Sequence, residues 1–143
     1  SNMNNKKTTT NKAPKEPKKS ELFEFWTYKN EIVINVDLLV RYLDKNNISY
    51  YRQHKFDDCK NIFQLPFDFY IPSKRMLIEF DGKQHYEPIK YFGGVEAYER
   101  LKVNDNIKNE YCEDNYIDLV RIRYDSIDNI VSILDGIFKK TTC

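Results

Sequence analysis

Residues 66–86 constrain the fold more than any other part of the chain, because they form the pattern of two short strands joined by a tight turn. Their sequence is PFDFYIPSKRMLIEFDGKQHY, with the turn expected at 72–75. Side chains alternate between the two faces of a strand. One face of this hairpin is therefore predicted to be apolar and the other charged. The apolar set is Phe67, Phe69, Ile71, Met76, Ile78 and Phe80, and the charged set is Asp68, Glu79, Asp81 and Lys83.

The register of the hairpin predicts a site for a cation. With a two-residue turn, Tyr70 lies opposite Leu77 and Asp68 lies opposite Glu79. Carboxylates that face each other across an antiparallel pair repel, and Asp81 on the same face adds to the repulsion. We therefore interpret the three carboxylates as ligands of one divalent ion. Because all the ligand atoms are oxygens, Mg²⁺ or Mn²⁺ is favoured over zinc.

The remaining hydrophobic patterns predict the order helix, three strands, helix, strand, helix. The three early strands are expected to form an antiparallel meander, and the fourth reaches the sheet through a helical crossover. This is an α/β fold with a mixed central sheet flanked by helices. The flanking elements are predicted at 36–45 (helix), 49–56 (strand), 95–114 (helix), 117–124 (strand) and 126–138 (helix), with 22–26 and 32–34 as short extended or helical pieces.

Charge is distributed unevenly along the 143 residues, which suffice for a single domain. Residues 1–20 contain six lysines and one glutamate, whereas the rest has 17 basic and 21 acidic residues and a net charge of −4. The lysine-rich segment has no apolar residue except Met3 and Ala13, and it is expected to be a disordered basic tail on a single domain at 21–143. Two interpretations of the tail stay open, a solubilising linker and an arm that contacts phosphates.

The cysteines and the hydropathy bear on the cellular setting. The sequence has an odd number of cysteines, namely Cys59, Cys112 and Cys143, and no two of them have the spacing of a zinc knuckle or a redox motif. We expect reduced thiols in an intracellular protein, either cytoplasmic or nucleoid-associated. The sequence contains no run approaching the roughly 18 apolar residues of a membrane span, so no membrane partner is expected.

Two motifs and the element order together resemble a known enzyme superfamily. The motifs are Pro66-Phe67-Asp68 and Ile78-Glu79-Phe80-Asp81-Gly82-Lys83-Gln84-His85-Tyr86. With the predicted αβββαβ order, they resemble the PD-(D/E)XK nucleases, in the branch of the very short patch repair endonuclease and related homing endonuclease domains. The resemblance covers about residues 36–138. It implies a restriction-endonuclease-like core and Mg²⁺-dependent hydrolysis of phosphodiester bonds in DNA, with RNA as the alternative substrate.

The acid-x-Lys motif of that superfamily fits this sequence in two ways. In the first, the motif is Asp81-Gly82-Lys83. In the second, Glu79 is the acid and Asp81 stands where the lysine is usual, so that Lys83 or His85 serves instead. The residues leave both alternatives open.

Further residues are candidates for chemistry or for substrate binding. Lys83 is predicted to stabilise charge on the phosphate, and His85 to act as a general acid or base near neutral pH. On the helix at 95–114, Lys102, Asp105 and Lys108 share a face. Arg121 and Arg123 alternate along the fourth strand, which is expected to be central in the sheet, so they need partners such as phosphate or the site carboxylates. Contact with nucleic acid is predicted for Lys102, Lys108 and Arg121, with structural ion pairs as the alternative.

Two further expectations concern partners and rival functions. A homodimer is expected if both strands of a duplex are cut, although the sequence does not reveal an interface. The net negative charge of residues 21–143 and the displaced lysine also fit another class of protein. That class is a catalytically inactive nuclease-fold module that binds nucleic acid or a protein partner.

Overall fold

Four strands form one mixed sheet in the order β1-β2-β3-β4, in a computed structural model that describes residues 18–139. Strands β1 to β3 pair antiparallel, and β4 is parallel to β3. The predicted α/β fold class, with a meander followed by a helical crossover, is confirmed. The elements are α1 (Lys19–Lys45), β1 (Tyr51–His54), β2 (Phe67–Ile71), β3 (Met76–Asp81), α2 (Gly94–Asp114), β4 (Asp118–Arg123) and α3 (Ile130–Phe138).

Both faces of the sheet are covered, so the core has two parts. On one face, α1 and α3 pack against Phe69, Ile78 and Ile122 through residues such as Leu39 and Leu134. The other face packs on α2 and on the loop between β1 and β2. This second cluster contains Cys59, Leu65, Phe67, Leu77, Cys112 and Ile117. All six residues of β3 are buried, because this strand lies inside the sheet with helices on both sides.

This burial corrects the predicted division of the hairpin into an apolar and a charged face. Leu77 shares a face with Glu79, and it packs in the second cluster. Glu79 and Asp81 are each only 4% exposed, because α2 lies over them. The charged face of the hairpin is therefore interior, and its carboxylates need partners within the protein.

The predicted register is confirmed, since Tyr70 pairs with Leu77 in the β2–β3 ladder. The predicted tight turn is also confirmed, because the amide of Arg75 donates to the carbonyl oxygen of Pro72 at 3.1 Å, with Ser73 and Lys74 between them. A short 3₁₀ turn at Pro72–Lys74 joins the strands, and Arg75 follows with a left-handed backbone conformation (φ 47°). The Arg75 guanidinium donates to the carbonyl oxygens of Asn115 and Tyr116, before β4. These bonds hold the strained turn residue against the start of β4.

The first helix is longer than predicted. It runs without interruption for 27 residues, so the stretches at 22–26 and 32–34 belong to one helix with 36–45. Lys19 and Ser20, which were assigned to the basic tail, form its first turn. The rest of that predicted tail, apart from Lys18, lies outside the residues that the structure describes.

The C-terminal elements follow the predictions with two differences. Strand β4 lies at the edge of the sheet, whereas its arginines were expected in a central strand. The last helix begins at Ile130 because a 3₁₀ turn at Ile127–Asn129 precedes it. Cys59 and Cys112 are free, as expected, and both are buried, whereas Cys143 lies outside the described residues. Among residues 18–139, no helix combines the length and the apolar character needed to cross a membrane.

Two glycines give a matched test of packing beside the hairpin. A Cβ added at Gly82 would overlap the hydroxyl of Tyr28, whereas one added at Gly136 in α3 would meet nothing within 4 Å. Gly82→Ala is expected to destabilise the fold by roughly 1–3 kcal/mol through overpacking. Gly136→Ala should be neutral or stabilising by about 1 kcal/mol, since alanine favours a helix. Urea unfolding of both variants measures the difference, and equal destabilisation would contradict this packing.

Candidate active site

A cleft of about 760 Å³ opens between α1 and the diverging ends of β2 and β3. One wall consists of α1 residues, namely Ile32, Val33, Val36, Asp37 and Val40. The other wall contains several residues that the sequence singled out. Among those lining it are Arg52, Gln53, Asp68, Glu79, His85 and Lys108.

The carboxylates of Asp68 and Glu79 are held together because each bonds to the backbone of the opposite strand. The amide of Asp68 donates to Glu79 Oε1 at 2.9 Å, and the amide of Phe80 donates to Asp68 Oδ2 at 2.8 Å. The paired ladder between the strands extends to Phe69 and Ile78, and these side-chain bonds follow it. Phe67 packs in the α2-side cluster and not with Phe69, which corrects its predicted face.

Lys108 on α2 supplies the cation for this carboxylate pair. Its ammonium lies 3.2 Å from Glu79 Oε2 and 5.0 Å from the centre of the Phe67 ring. Lys108 itself is buried, with 9% of its surface exposed. The ion pair therefore lies where little water screens it, and removal of either partner would leave a buried charge.

The surroundings of Glu79 favour its protonated form. Burial is the largest effect, and the charge of Asp68 adds to it, so that the pKa of Glu79 rises to about 7 despite the nearby Lys108. A carboxyl group with this pKa exchanges its proton near neutral pH. Shifts of this kind are common at catalytic and metal-binding sites, although structural ion pairs also produce them.

Asp81 does not join Asp68 and Glu79. Its Oδ1 accepts from Arg121 Nη1 at 3.0 Å, and Arg121 also bonds to the side chain of Asn109 on α2. The predicted arrangement of three carboxylates around one ion is therefore not present. Asp81 instead belongs to an ion-pair network with Arg121, which fits the structural alternative considered for that arginine.

His85 and Asp105 form a buried pair beside this network. His85 Nδ1 lies 2.8 Å from Asp105 Oδ2 and 3.8 Å from Asp81 Oδ1. Because an ionised carboxylate only accepts hydrogen bonds, Nδ1 donates to Asp105, and in the neutral form of the ring Nε2 is the nitrogen that accepts. Burial acts to raise the pKa of Asp105, but the hydrogen bond and charge of His85, with the charge of Arg121, hold it below its usual value.

Lys83 lies apart from the carboxylate pair, in contrast to the prediction. Strand β3 ends at Asp81, and Lys83 begins a 3₁₀ turn at Lys83–His85. The strand alternation that was to place Lys83 beside the acids therefore stops before it. Its half-exposed side chain instead forms an ion pair with Glu87 at 3.1 Å.

The residues predicted to contact nucleic acid occupy two different environments. Lys102 lies over the rings of Tyr86 and Tyr98, at 5.8 and 5.3 Å from their centres. Lys108 and Arg121 both bond to acidic partners in the interior. Lys102 therefore remains a candidate for phosphate contact, whereas Lys108 and Arg121 organise the site from within.

Asp68 and Glu79 are suited to bind one class of metal ion, whereas Asp81, the predicted third ligand, is not placed to bind the same ion. Within residues 18–139, no group of three or more His, Cys, Asp or Glu side chains is placed to hold a metal ion. Magnesium, however, is often bound through one or two carboxylates, with waters and substrate phosphates completing its shell. Asp68 and Glu79, adjacent on the cleft wall, match that class, and Asp81 does not belong to the ligand set.

Sequence reasoning missed the roles of three residues. Lys108 lies beside Glu79, where Lys83 was expected. Asp105 fixes the orientation of the His85 ring through a hydrogen bond. Gln53 Nε2 lies 3.5 Å from Asp68 Oδ1. Gln53 also has a left-handed backbone (φ 49°) within β1. The three-residue spacing of Asp105 and Lys108 was visible, but it did not show that this face of α2 points inward.

Comparison with known proteins adds a distant relative of undefined function. The chain is similar to the uncharacterized protein 307L of Invertebrate iridescent virus 6, at 33% identity over 63 residues. The match covers 43% of this chain and 32% of the viral protein, so the chain spans about a third of that relative. No protein-family model matches the chain, and no solved structure matches it. The functional inference therefore depends on the site itself.

The raised pKa of Glu79 predicts a specific dependence of stability on pH. A bound proton stabilises the fold below the ordinary pKa of 4.5, and this stabilisation is lost as the pH rises towards 7. Glu79→Gln removes this titration. Relative to that variant, the wild-type protein should lose on the order of 3 kcal/mol between pH 4 and 8. Urea unfolding across this range measures the effect, and parallel stability curves would contradict it.

Proposed function

We propose that this protein is a divalent-metal-dependent endonuclease of the PD-(D/E)XK type that hydrolyses phosphodiester bonds in DNA. The observation that carries the proposal is the adjacent pair of Asp68 and Glu79, with Lys108 bound to Glu79, on the wall of an open cleft. The αβββαβ order of the fold supports it, because the two acids lie on the hairpin strands that carry the motifs in that superfamily.

Asp68 and Glu79 would hold the metal ion, Mg²⁺ or Mn²⁺. When bound, such an ion lowers the pKa of a coordinated water and neutralises charge on the phosphate that is cleaved. The two carboxylates are preorganised for this role, since backbone amides of the opposing strands fix their orientation. The pKa of Glu79, near 7, means that a metal ion competes with a proton for this carboxylate.

Lys108 acts as the lysine of the site in this proposal. Its ammonium lowers the pKa of Glu79, in opposition to burial, and thereby favours the ionised form that binds cations. A phosphate entering the cleft would meet this same positive charge, which stabilises negative charge on its oxygens. Of the two readings of the motif, this geometry supports Glu79 as the acid, because Glu79 contacts Asp68 and Asp81 does not.

His85 is the residue of the cleft best suited to transfer a proton. Asp105 accepts from Nδ1 and so fixes both the orientation and the tautomer of the ring. The other nitrogen, Nε2, is then the one that accepts a proton from water or donates it to a leaving oxygen. Asp105 acts through His85, and is a positioning residue.

The pairing of Asp81 with Arg121 favours a second candidate function. A module that has lost catalysis would keep its acids neutralised by internal cations, as Asp81 is in this structure. Such a protein would bind nucleic acid or a protein partner without cutting. Calorimetry with Mn²⁺ separates the two functions, because the inactive module should bind no ion at Asp68 and Glu79.

The main test is cleavage of plasmid and short duplex DNA with Mg²⁺, Mn²⁺ or a chelator. Asp68→Asn and Glu79→Gln should abolish cutting, and the chelator should do the same, because each removes metal binding. Single-stranded DNA and RNA of the same sequence determine the substrate class. An Asp68→Asn variant that cuts as well as the wild-type protein would exclude the enzyme function, as would the absence of cutting under every metal condition.

A pair of lysine variants tests which lysine serves the site. Lys108→Ala should lower kcat by about 100-fold or more, because it removes a buried charge next to the reacting phosphate. Lys83→Ala is the matched control, and it should leave kcat unchanged, since Lys83 contacts the exposed Glu87. The opposite result would restore Asp81-Gly82-Lys83 as the functional motif.

His85→Ala and Asp105→Asn test the proton-transfer pair. We expect His85→Ala to lower kcat by about 100-fold, within the range of general acid–base catalysis, with Mn²⁺ binding retained. Asp105→Asn should lower kcat less, because it disturbs the tautomer but leaves the ring in place. Calorimetry with Mn²⁺ provides the second readout. If either variant loses Mn²⁺ binding, the residue belongs to the metal site and not to proton transfer.

A further inference from the structure

Helix α1 is apolar on two opposite faces. One face enters the core through Tyr28, Leu39, Tyr42 and Leu43. The opposite face exposes five large apolar side chains, Leu22 (48%), Phe23 (67%), Trp26 (64%), Val33 (64%) and Ile34 (47%). A helix that is hydrophobic all round is normally buried. Within residues 18–139, nothing covers this outer face, which we name the α1 stripe.

The α1 stripe follows the spacing of a two-helix seam. Two series of residues, each with a seven-residue repeat, interleave along the helix at intervals of three and four. One series is Phe23, Asn30 and Asp37, and the other is Lys19, Trp26 and Val33. From Lys19 to Asp37 the seam is about 27 Å long, at 1.5 Å per residue.

We propose that a second copy of this chain covers the α1 stripe, with the two helices antiparallel across a two-fold axis. In this arrangement each residue of one series faces a residue of the other series in the second copy. Phe23 then packs on Val33 of the second copy, and Lys19 meets Asp37 of the second copy at both ends of the seam. The ends are thus complementary in charge, and the two-fold forms each contact twice.

The centre of the seam is complementary in hydrogen bonding. There, Trp26 lies against Asn30 of the second copy. The amide nitrogen of Asn30 already donates to the carbonyl oxygen of Trp26 in its own helix, at 3.0 Å. The amide oxygen therefore remains to accept from the indole N–H of the second copy, which can only donate. A single polar residue within an apolar seam is a common means of fixing register.

Charge excludes the parallel alternative. Parallel helices would place Lys19 against Lys19 and Asp37 against Asp37, and like charges across an interface are costly. The antiparallel pair does place the two copies of Lys29 on the same side of the seam. Each ammonium, however, already lies 4.6 Å from the centre of the Phe25 ring of its own chain. The antiparallel pair is the arrangement in which both ends of the seam attract.

The interface adjoins the cleft. Val33 of the α1 stripe and Asp37 at the end of the seam also line the cleft, together with Asp68 and Glu79. A pair of α1 helices therefore brings two clefts into one assembly. The dimer is inferred from α1 alone, so it stands independently of the proposed nuclease activity.

The chain carries its own reporter for this interface, because Trp26 is its one tryptophan. Sedimentation equilibrium of the full chain, without DNA or metal, should show a monomer–dimer equilibrium. Indole fluorescence should shift to shorter wavelength over the same concentration range as Trp26 becomes buried. A monomer at every concentration would overturn the proposal, and so would a dimer whose formation leaves the fluorescence unchanged.

An apolar-to-charged substitution locates the interface. Val33→Glu places a charge against Phe23 of the second copy, and it should weaken dimerisation by about tenfold or more. Val131→Glu is the matched control, since Val131 is similarly exposed (55%) but lies on α3. Circular dichroism verifies that both variants are folded. Equal weakening by the two substitutions would mean that the association does not use α1.

A charge exchange tests the antiparallel register. Lys19→Asp and Asp37→Lys should each weaken self-association at least severalfold, because each places like charges at both ends of the seam. The double variant should restore it, and a mixture of the two single variants should form a mixed dimer. Both sites are exposed, and Asp37 loses only a surface pair with Arg41, so folding should be retained. Failure of the double variant to restore the dimer would refute the register.

Discussion

The exchange of hydrogen bonds between Asp68 and Glu79 underlies the site. Each carboxylate accepts from a backbone amide of the opposite strand, at the point where β2 and β3 begin to diverge. These bonds satisfy amides at the end of the paired ladder, and hold two like charges next to each other. Burial, and secondly the charge of Asp68, raise the pKa of Glu79 to about 7. The end of the hairpin thus combines the end of the paired ladder with two adjacent carboxylates, one of which has a raised pKa.

The carboxylates determine how the rest of the sheet face is built. Glu79, Asp81 and His85 lie under α2. Lys108 from the helix pairs with Glu79, Arg121 from β4 pairs with Asp81, and His85 bonds to Asp105 of the helix. An apolar layer of the same volume would often be equally stable or more stable. Keeping a charged layer in the interior therefore fits a functional role better than a structural one. It also explains why α2, with Asp105 and Lys108 on its inner face, lacks a regular apolar stripe.

Helix α1 relates the two surfaces on which the proposals depend. Its inner face packs on the sheet, one flank lines the cleft, and its outer face carries the exposed apolar side chains of the α1 stripe. Val33 and Asp37 take part in both the cleft and the seam. Substrate binding and self-association would consequently act on the same helix, which gives the two processes a direct physical route to influence each other.

The sequence by itself determined what local patterns encode. Strand alternation and turn length set the register of Tyr70 with Leu77 and brought Asp68 next to Glu79, and periodicity gave the order of the elements. The tertiary structure decided which cation serves each acid. Lys108 meets Glu79 across 29 positions of the chain, and Arg121 meets Asp81 across 40. Alternation assigns a residue to a face, but the partner on that face depends on how α2 and β4 dock, and that is fixed by packing of the whole core.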